Sequence, residues 1–164
     1  MWHDEVTRPD GRAGIYGVVH FHSRAVAVVA VRDDGCILLV GQHRYTLDTY
    51  SWELPEGGVG PYEALVDGAR RELREETGVV AATWIELCRL SLSNSVTDET
   101  GAIFLATGLT MGDAAPEPTE DLATRWAGVD DVIRMIDEGE IHDVLTIAGV
   151  SRYALALRRE PGQP

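Results

Sequence analysis

The segment from residue 57 to residue 79, GGVGPYEALVDGARRELREETGV, constrains the fold more than any other part of the chain. Within it, Glu72, Glu75 and Glu76 are spaced i, i+3 and i+4, so an α-helix places their three carboxylates on one face. Like charges arranged in this way destabilise a solvated helix by about 0.3 kcal/mol per pair. A divalent cation would remove that repulsion, and carboxylate oxygens are hard ligands that suit Mg²⁺ or Mn²⁺. The pattern therefore predicts a metal site.

Helix signals flank these carboxylates. The glycines of residues 57–60 indicate a flexible loop, Pro61 suits a first helical position, and Gly78 suits the left-handed residue that ends a helix. An ion pair between Arg71 and Glu63 would hold the loop against the helix. The alternative interpretation of the same residues is an exposed helix covered by Glu–Arg pairs, which binds no metal.

Apolar patterns on either side predict the remaining elements. Strands are expected at residues 14–22, 24–32, 36–44, 80–93, 101–109 and 122–129, and a polar loop at 112–121. Helices are expected at 130–138 and from Asp143, as an N-terminal cap, to about Arg158. Strands first, an acidic helix in the middle and helices last indicate a mixed sheet between helical layers.

The central segment resembles the Nudix box at every fixed position. Those positions are Gly57, Glu63, Arg71, Glu72, Glu75, Glu76 and Gly78. The resemblance implies a Nudix hydrolase, which cleaves a nucleoside diphosphate linked to another moiety. It also implies an α+β fold, the Nudix-type α/β/α sandwich with a mixed β-sheet, formed by a single domain over residues 1–164.

The resemblance also implies roles for the box residues. The expected metal ligands are Glu72, Glu75, Glu76 and the backbone carbonyl of Glu56, with Mg²⁺ as the metal and Mn²⁺ as a substitute. The other box residues have structural roles by the same resemblance: Gly57, Glu63, Arg71 and Gly78. The general base stays open between Glu120, in the loop PEPTEDL, Glu117 as the second choice, and Glu75 within the box.

A second segment, VGQHRYTLDTYSWELPEGG, is similar to the ADP-ribose pyrophosphatase-like branch of the family. It implies that Arg44 binds the diphosphate or terminal ribose, since a guanidinium grips phosphate oxygens in pairs. It places Glu53 near the metal or the substrate. Further candidates for substrate contacts are Arg24, Glu99 and an aromatic residue that stacks on the base, namely Trp52, Tyr16 or Tyr45.

The predicted reaction is hydrolysis of ADP-ribose to AMP and ribose 5-phosphate. Two residues depart from the ADP-ribose branch: Asn94 replaces a usual proline, and Glu56 stands where a small residue is favoured. The alternatives are therefore another nucleotide sugar or a modified nucleoside triphosphate. A non-catalytic nucleotide-sensing module is the alternative of a different class, and the intact set of box glutamates argues against it.

Composition limits the partners. A formal net charge of −13 argues against sequence-independent binding to nucleic acid and against an anionic membrane surface. Cys36 and Cys88 are too few for a disulfide framework and are interpreted as buried free thiols. Because no leader-like or membrane-spanning apolar run is present, a cytoplasmic protein is expected. The family resemblance implies a homodimer formed through the early strands.

Overall fold

The computed structural model of the chain describes residues 1–114 and 121–158. Its strands and helices follow one another in the order β1 (Trp2–Thr7), β2 (Ala13–Val18), β3 (Arg24–Ala30), β4 (Ile37–Arg44), β5 (Thr49–Glu53), β6 (Glu56–Val59), α1 (Leu65–Thr77), β7 (Val79–Ser91), β8 (Thr100–Met111), β9 (Ala123–Ala127), α2 (Val129–Asp137) and α3 (Val144–Leu157).

Strand β3 lies at the centre of the fold because helices cover both of its faces. Val26 and Val28 belong to one buried cluster with α1, whereas Ala27 and Val29 belong to another with α2 and α3. Burial on both faces explains why β3 is continuously apolar after Arg24 rather than alternating. Its sheet has the order β6-β3-β8-β7, with β3 and β8 parallel and the other pairs antiparallel. The predicted α/β/α sandwich with a mixed sheet is confirmed.

Two smaller sheets complete the strand pairing of the described residues. Strands β5, β4 and β9 form an antiparallel sheet in which β4 is central. Strands β1 and β2 form a separate hairpin that pairs Trp2 with Val18 and Thr7 with Ala13. Strands β1 and β5 are absent from the sequence predictions, and the strand expected at residues 14–22 is shorter, at Ala13–Val18.

The glycine-rich start of the central segment is a strand rather than the predicted flexible loop. Residues Glu56–Val59 form β6, which pairs with β3 so that Gly57 lies opposite Val26 and Gly58 opposite Ala25. The prediction was wrong because the partner strand, distant in sequence, satisfies the backbone hydrogen bonds of β6 and orders it.

Pro61 does not occupy the first position of α1, which begins at Leu65 after Ala64. The guanidinium of Arg24 explains the delay. Its Nη2 donates to the carbonyl oxygens of Gly60 (2.9 Å) and Glu63 (2.6 Å). The carbonyls that would begin a helix at Pro61 are therefore bound by a side chain from β3, and the chain turns once more before α1 begins.

The end of α1 and the start of α3, in contrast, agree with the sequence predictions. Gly78 ends α1 in the left-handed region, with φ at 71°, and its N–H donates to the carbonyl of Arg74. Asp143 caps α3 as predicted, because its carboxylate accepts from the backbone N–H of Thr146 at 2.7 Å. Among the described residues, no helix combines the length and apolar character required to cross a membrane.

Candidate active site

The carboxylates of α1 meet strand β6. Glu76 is only 6% exposed, and its Oε2 accepts a hydrogen bond from the backbone N–H of Glu56 at 3.1 Å. Glu72 lies against Gly57 so closely that a Cβ atom there would be 2.2 Å from Cδ of Glu72. The packing of α1 on β6 thus directs two of the three box carboxylates toward the strand that precedes the helix.

Arg71 connects the same helix to β6 and to the loop between β6 and α1. Its Nη1 donates to Glu72 at 2.7 Å and to Glu75 at 3.1 Å, and its Nη2 donates to the carbonyl of Gly58 at 2.9 Å. The predicted ion pair with Glu63 is present at 3.2 Å. These carboxylates, that of Glu63 first, raise the pKa of Arg71, and Arg71 lowers the pKa of Glu63. Arg71 therefore fixes the orientation of Glu72 and Glu75 while it anchors the loop.

A second ion-pair cluster lies beside β6 and contains Arg44, Glu53 and Glu56. Arg44 Nε lies 3.0 Å from both carboxylate oxygens of Glu53, a bidentate pair that Nη2 of Arg44 also joins. The same Nη2 lies 2.7 Å from Oε1 of Glu56. Glu53 is 2% exposed, so this pairing keeps a buried charge satisfied. Arg44 thereby joins the end of β4 to β5 and β6.

Glu56 is the most electrostatically unusual residue of the site. Burial raises its pKa well above the ordinary value, and the carboxylates of Asp143 and Glu53 raise it further, whereas Arg44 opposes them. Its Oε1 is bound by Arg44, but its Oε2 is buried and has no hydrogen-bond partner among the described residues. Sequence reasoning assigned only the backbone carbonyl of this residue a role.

A cleft of about 630 Å³ lies next to these carboxylates. Arg24, Glu56 and Glu99 line it, and burial raises the pKa of Glu99. The remaining lining residues come from β6, from the segments around β3 and β7, and from the start of α3. They are Phe21, Ser23, Ala25, Gly57, Gly58, Ser91, Leu92, Ser93, Asp143, Val144 and Leu145. The cleft thus opens beside Gly57, which contacts Glu72.

The predicted aromatic candidates lie outside this lining. Trp52 packs against the core and Tyr50, with the guanidinium of Arg125 5.7 Å from its ring centroid. Tyr45 is exposed, and the hydroxyl of Tyr16 donates to the carbonyl of Ser95. Phe21 is the aromatic residue that does line the cleft, and its N–H is held by Asp98 at 3.0 Å.

Sequence reasoning missed Phe21 and treated Asp143 only as a helix cap. Phe21 lies between two histidines in the run HFHS, where the pattern predicted a strand rather than a cleft wall. Asp143 reaches the cleft because α3 begins beside β6, a contact between segments that are distant in sequence. An aspartate just before an apolar helix, as in the run IHDV, predicts a helix cap, but it does not by itself predict a place in a cleft.

The donor chemistry of the site fits a hard divalent cation. Glu72, Glu75 and Glu76 offer carboxylate oxygens, and Glu56 adds a buried oxygen without a partner. Within residues 1–114 and 121–158, however, no three histidine, cysteine, aspartate or glutamate side chains are arranged so that they could hold an ion together. One reason is that Arg71 binds the carboxylates of both Glu72 and Glu75.

The predicted general bases Glu120 and Glu117 lie outside the described residues. Glu75, the third candidate, lies on α1, where it accepts a hydrogen bond from Arg71 and its side chain is about one third exposed (34%).

The two cysteines, Cys36 and Cys88, are free and only partly buried, so their predicted burial is incomplete.

Comparison with known proteins gives three further findings. The NUDIX domain family matches residues 21–147. The ADP-ribose pyrophosphatase of Mycobacterium tuberculosis (strain ATCC 25618 / H37Rv) is 38% identical over 154 residues, covering 90% of this chain and 72% of that protein. The ADP-ribose pyrophosphatase of Bacillus subtilis (strain 168) is 31% identical over 157 residues, covering 94% of this chain and 84% of that protein.

A solved structure shares the fold. The crystal structure of an ADP compounds hydrolase superposes with a TM-score of 0.83 and covers 96% of this chain and 92% of that chain. Its sequence identity is 18%, so the similarity concerns the arrangement of strands and helices.

Proposed function

The chain belongs to the NUDIX family and is a Nudix hydrolase, and from this premise we propose that its substrate is a nucleoside diphosphate linked to a sugar. ADP-ribose is the substrate we favour, with AMP and ribose 5-phosphate as products. The observation that supports this proposal is the contact of the α1 carboxylates with β6 at the edge of a cleft of about 630 Å³. The two relatives named ADP-ribose pyrophosphatases support the choice of sugar nucleotide.

We assign a divalent cation, Mg²⁺ with Mn²⁺ as a substitute, to Glu72, Glu75, Glu76 and the backbone carbonyl of Glu56. When bound, such a cation neutralises diphosphate charge and lowers the pKa of a water molecule. Arg71 orients two of these carboxylates, and the N–H of Glu56 orients the third. We give Gly57, Glu63 and Arg71 structural roles that keep α1 against β6, and Gly78 the structural role of ending α1.

Residues in and near the cleft would contact the substrate. Arg24 and Glu99 line it and would contact the sugar or the diphosphate. Arg44 and Glu53 do not belong to the cleft lining, but Arg44 binds Glu56, which does. From there Arg44 would bind the diphosphate or the terminal ribose, in the bidentate geometry that it already uses on the carboxylate of Glu53. Trp52 stays a predicted stacking residue, and the general base stays a choice among Glu75, Glu120 and Glu117.

A panel of substrates tests the proposal. The purified protein, incubated with Mg²⁺ and ADP-ribose, other nucleotide sugars and nucleoside triphosphates, should release a nucleoside monophosphate from ADP-ribose faster than from the others. Chromatography of the products identifies the broken bond, because cleavage within the diphosphate gives AMP and a sugar phosphate. Tight binding of one panel member without turnover of any would instead favour a nucleotide-sensing module, and faster turnover of a triphosphate would reject a sugar nucleotide.

We also propose a homodimer formed through the hairpin of β1 and β2. This hairpin exposes large apolar side chains, among them Ile15 at 70%, Trp2 at 44% and Tyr16 at 47%. Covering such side chains contributes about 25 cal/mol per Å² of apolar surface. Light scattering coupled to size-exclusion chromatography should therefore give twice the mass of the 17.9 kDa chain. A monomer mass at micromolar concentration would contradict this proposal.

The proposed setting is the cytoplasm. Cys36 and Cys88 are free thiols, which a reducing compartment preserves. The formal charge of −13 disfavours polyanionic surfaces as partners, so we propose neither a nucleic acid nor a membrane as a binding partner.

A further inference from the structure

Oxygen Oε2 of Glu56 is the most informative buried polar atom of the described chain. The side chain of Glu56 is 12% exposed, and Oε2 is buried without a hydrogen-bond partner, while Oε1 is bound by Arg44. A buried carboxylate oxygen without a partner destabilises a fold, because the oxygen has lost its hydration and gained no hydrogen bond. Such an atom needs either a proton or a bound group that accepts its lone pairs.

The charges around Glu56 favour a bound cation. The charged side chains that act on it most strongly are three carboxylates, those of Asp143, Glu53 and Glu76, and one guanidinium, that of Arg44. Arg44 already forms its bidentate pair with Glu53. The surroundings of Glu56 thus carry an excess of negative charge, which a divalent ion would offset better than a single guanidinium does.

The position of Glu56 connects this oxygen to the box. Its N–H donates to Glu76, and the next residue, Gly57, contacts the carboxylate of Glu72. Glu56 and Asp143 line the same cleft from two different elements, β6 and the start of α3. A cation held by the box carboxylates would therefore lie in the neighbourhood of the Glu56 side chain.

We propose that Oε2 of Glu56 is an additional ligand of the divalent cation, so that this chain adds a side-chain carboxylate where the family resemblance assigns only a backbone carbonyl. The inference rests on the metal site of the proposed function and extends it by one donor. It gives a reason for glutamate at a position where the related branch favours a small residue: the extra carboxylate strengthens cation binding before any substrate enters.

Binding of Mn²⁺ without substrate tests this inference. Full-length protein is stripped with EDTA, dialysed and titrated with Mn²⁺ by calorimetry, with free Mn²⁺ followed by electron paramagnetic resonance. Glu56→Gln keeps the shape of the side chain but removes its charge, and we expect Mn²⁺ affinity at the tightest site to fall by about tenfold or more. Glu56→Ala should show the same loss, which covers the case in which one variant fails to fold.

A thermal melt adds an outcome that a merely structural role would not give. Without metal, Glu56→Gln should melt at or above the temperature of the wild type, because an amide relieves the repulsion from neighbouring carboxylates. With Mn²⁺, it should gain less in melting temperature than the wild type does. Both melts show directly whether the variant is folded.

Glu140→Gln is the matched control, since Glu140 is exposed and its change removes the same charge. We expect Mn²⁺ to bind this variant as it binds the wild type. Equal affinity of Glu56→Gln and wild type would overturn the inference, as would an equal loss in Glu140→Gln. Because no substrate is present, neither result tests the proposed hydrolysis, which the substrate panel tests separately.

Discussion

The kcat for hydrolysis of a nucleotide sugar should fall by about three orders of magnitude in Glu76→Gln, which corresponds to about 4 kcal/mol in the activation barrier. Glu76 is nearly buried, and its Oε2 accepts from the N–H of Glu56 at 3.1 Å. Glutamine retains a carbonyl oxygen for that N–H, so the fold should persist. It lacks the negative charge that the proposed cation requires, so the loss should appear in kcat. Steady-state kinetics at saturating Mg²⁺ measures it, and EDTA treatment of the wild type sets the lower limit of activity.

Asp67→Asn is the control for that substitution. Asp67 lies on the solvent face of the same helix, where it pairs with Arg70 at 2.8 Å, and its change also removes one carboxylate from α1. It should lower stability by about 0.5 kcal/mol, through the loss of an acid in the first helical turn, and leave kcat unchanged. Full activity in Glu76→Gln would show that the metal assignment on α1 is wrong.

Local patterns in the sequence were sufficient to predict the helix α1, the shared face of its glutamates and its C-terminal end. The i, i+3, i+4 spacing of the glutamates fixes their common face, and Gly78 fixes the end of the helix through its left-handed φ of 71°. Asp143 was predicted as a cap for the same reason, because capping depends on residues within one turn. These features depend on short-range geometry, which a single sequence contains.

Features that depend on distant segments were not predictable. The glycines of residues 57–58 form a strand because β3 pairs with them, and α1 begins late because Arg24 binds the carbonyls of Gly60 and Glu63. The acidic surroundings of Glu56 arise because α3 brings Asp143 to β6. In each case the decisive group lies far along the chain, and only the folded sheet brings it into contact.

A large loss of kcat/KM is also expected when the close contact between Gly57 and Glu72 is disturbed. In Gly57→Ala, the new methyl group would lie 2.2 Å from Cδ of Glu72 and 2.4 Å from each carboxylate oxygen, so the carboxylate must move. Arg71 binds Glu72 at 2.7 Å and limits where it can go. A displacement of this size at a catalytic group reduces rates by about 100-fold, and we expect that loss in kcat/KM at saturating Mg²⁺.

Gly60→Ala separates this contact from a general effect of added side chains in the segment. A Cβ at Gly60 meets no heavy atom within 4 Å, and the backbone carbonyl that Arg24 binds is unchanged. Its kcat/KM should equal that of the wild type, and its melting temperature should be equal or slightly higher, because alanine restricts the unfolded chain. If Gly57→Ala also kept wild-type kcat/KM, the carboxylate of Glu72 would be shown to tolerate displacement, which a metal ligand cannot. The pair of variants thus tests whether glycine is required at residue 57 because of the carboxylate that lies against it.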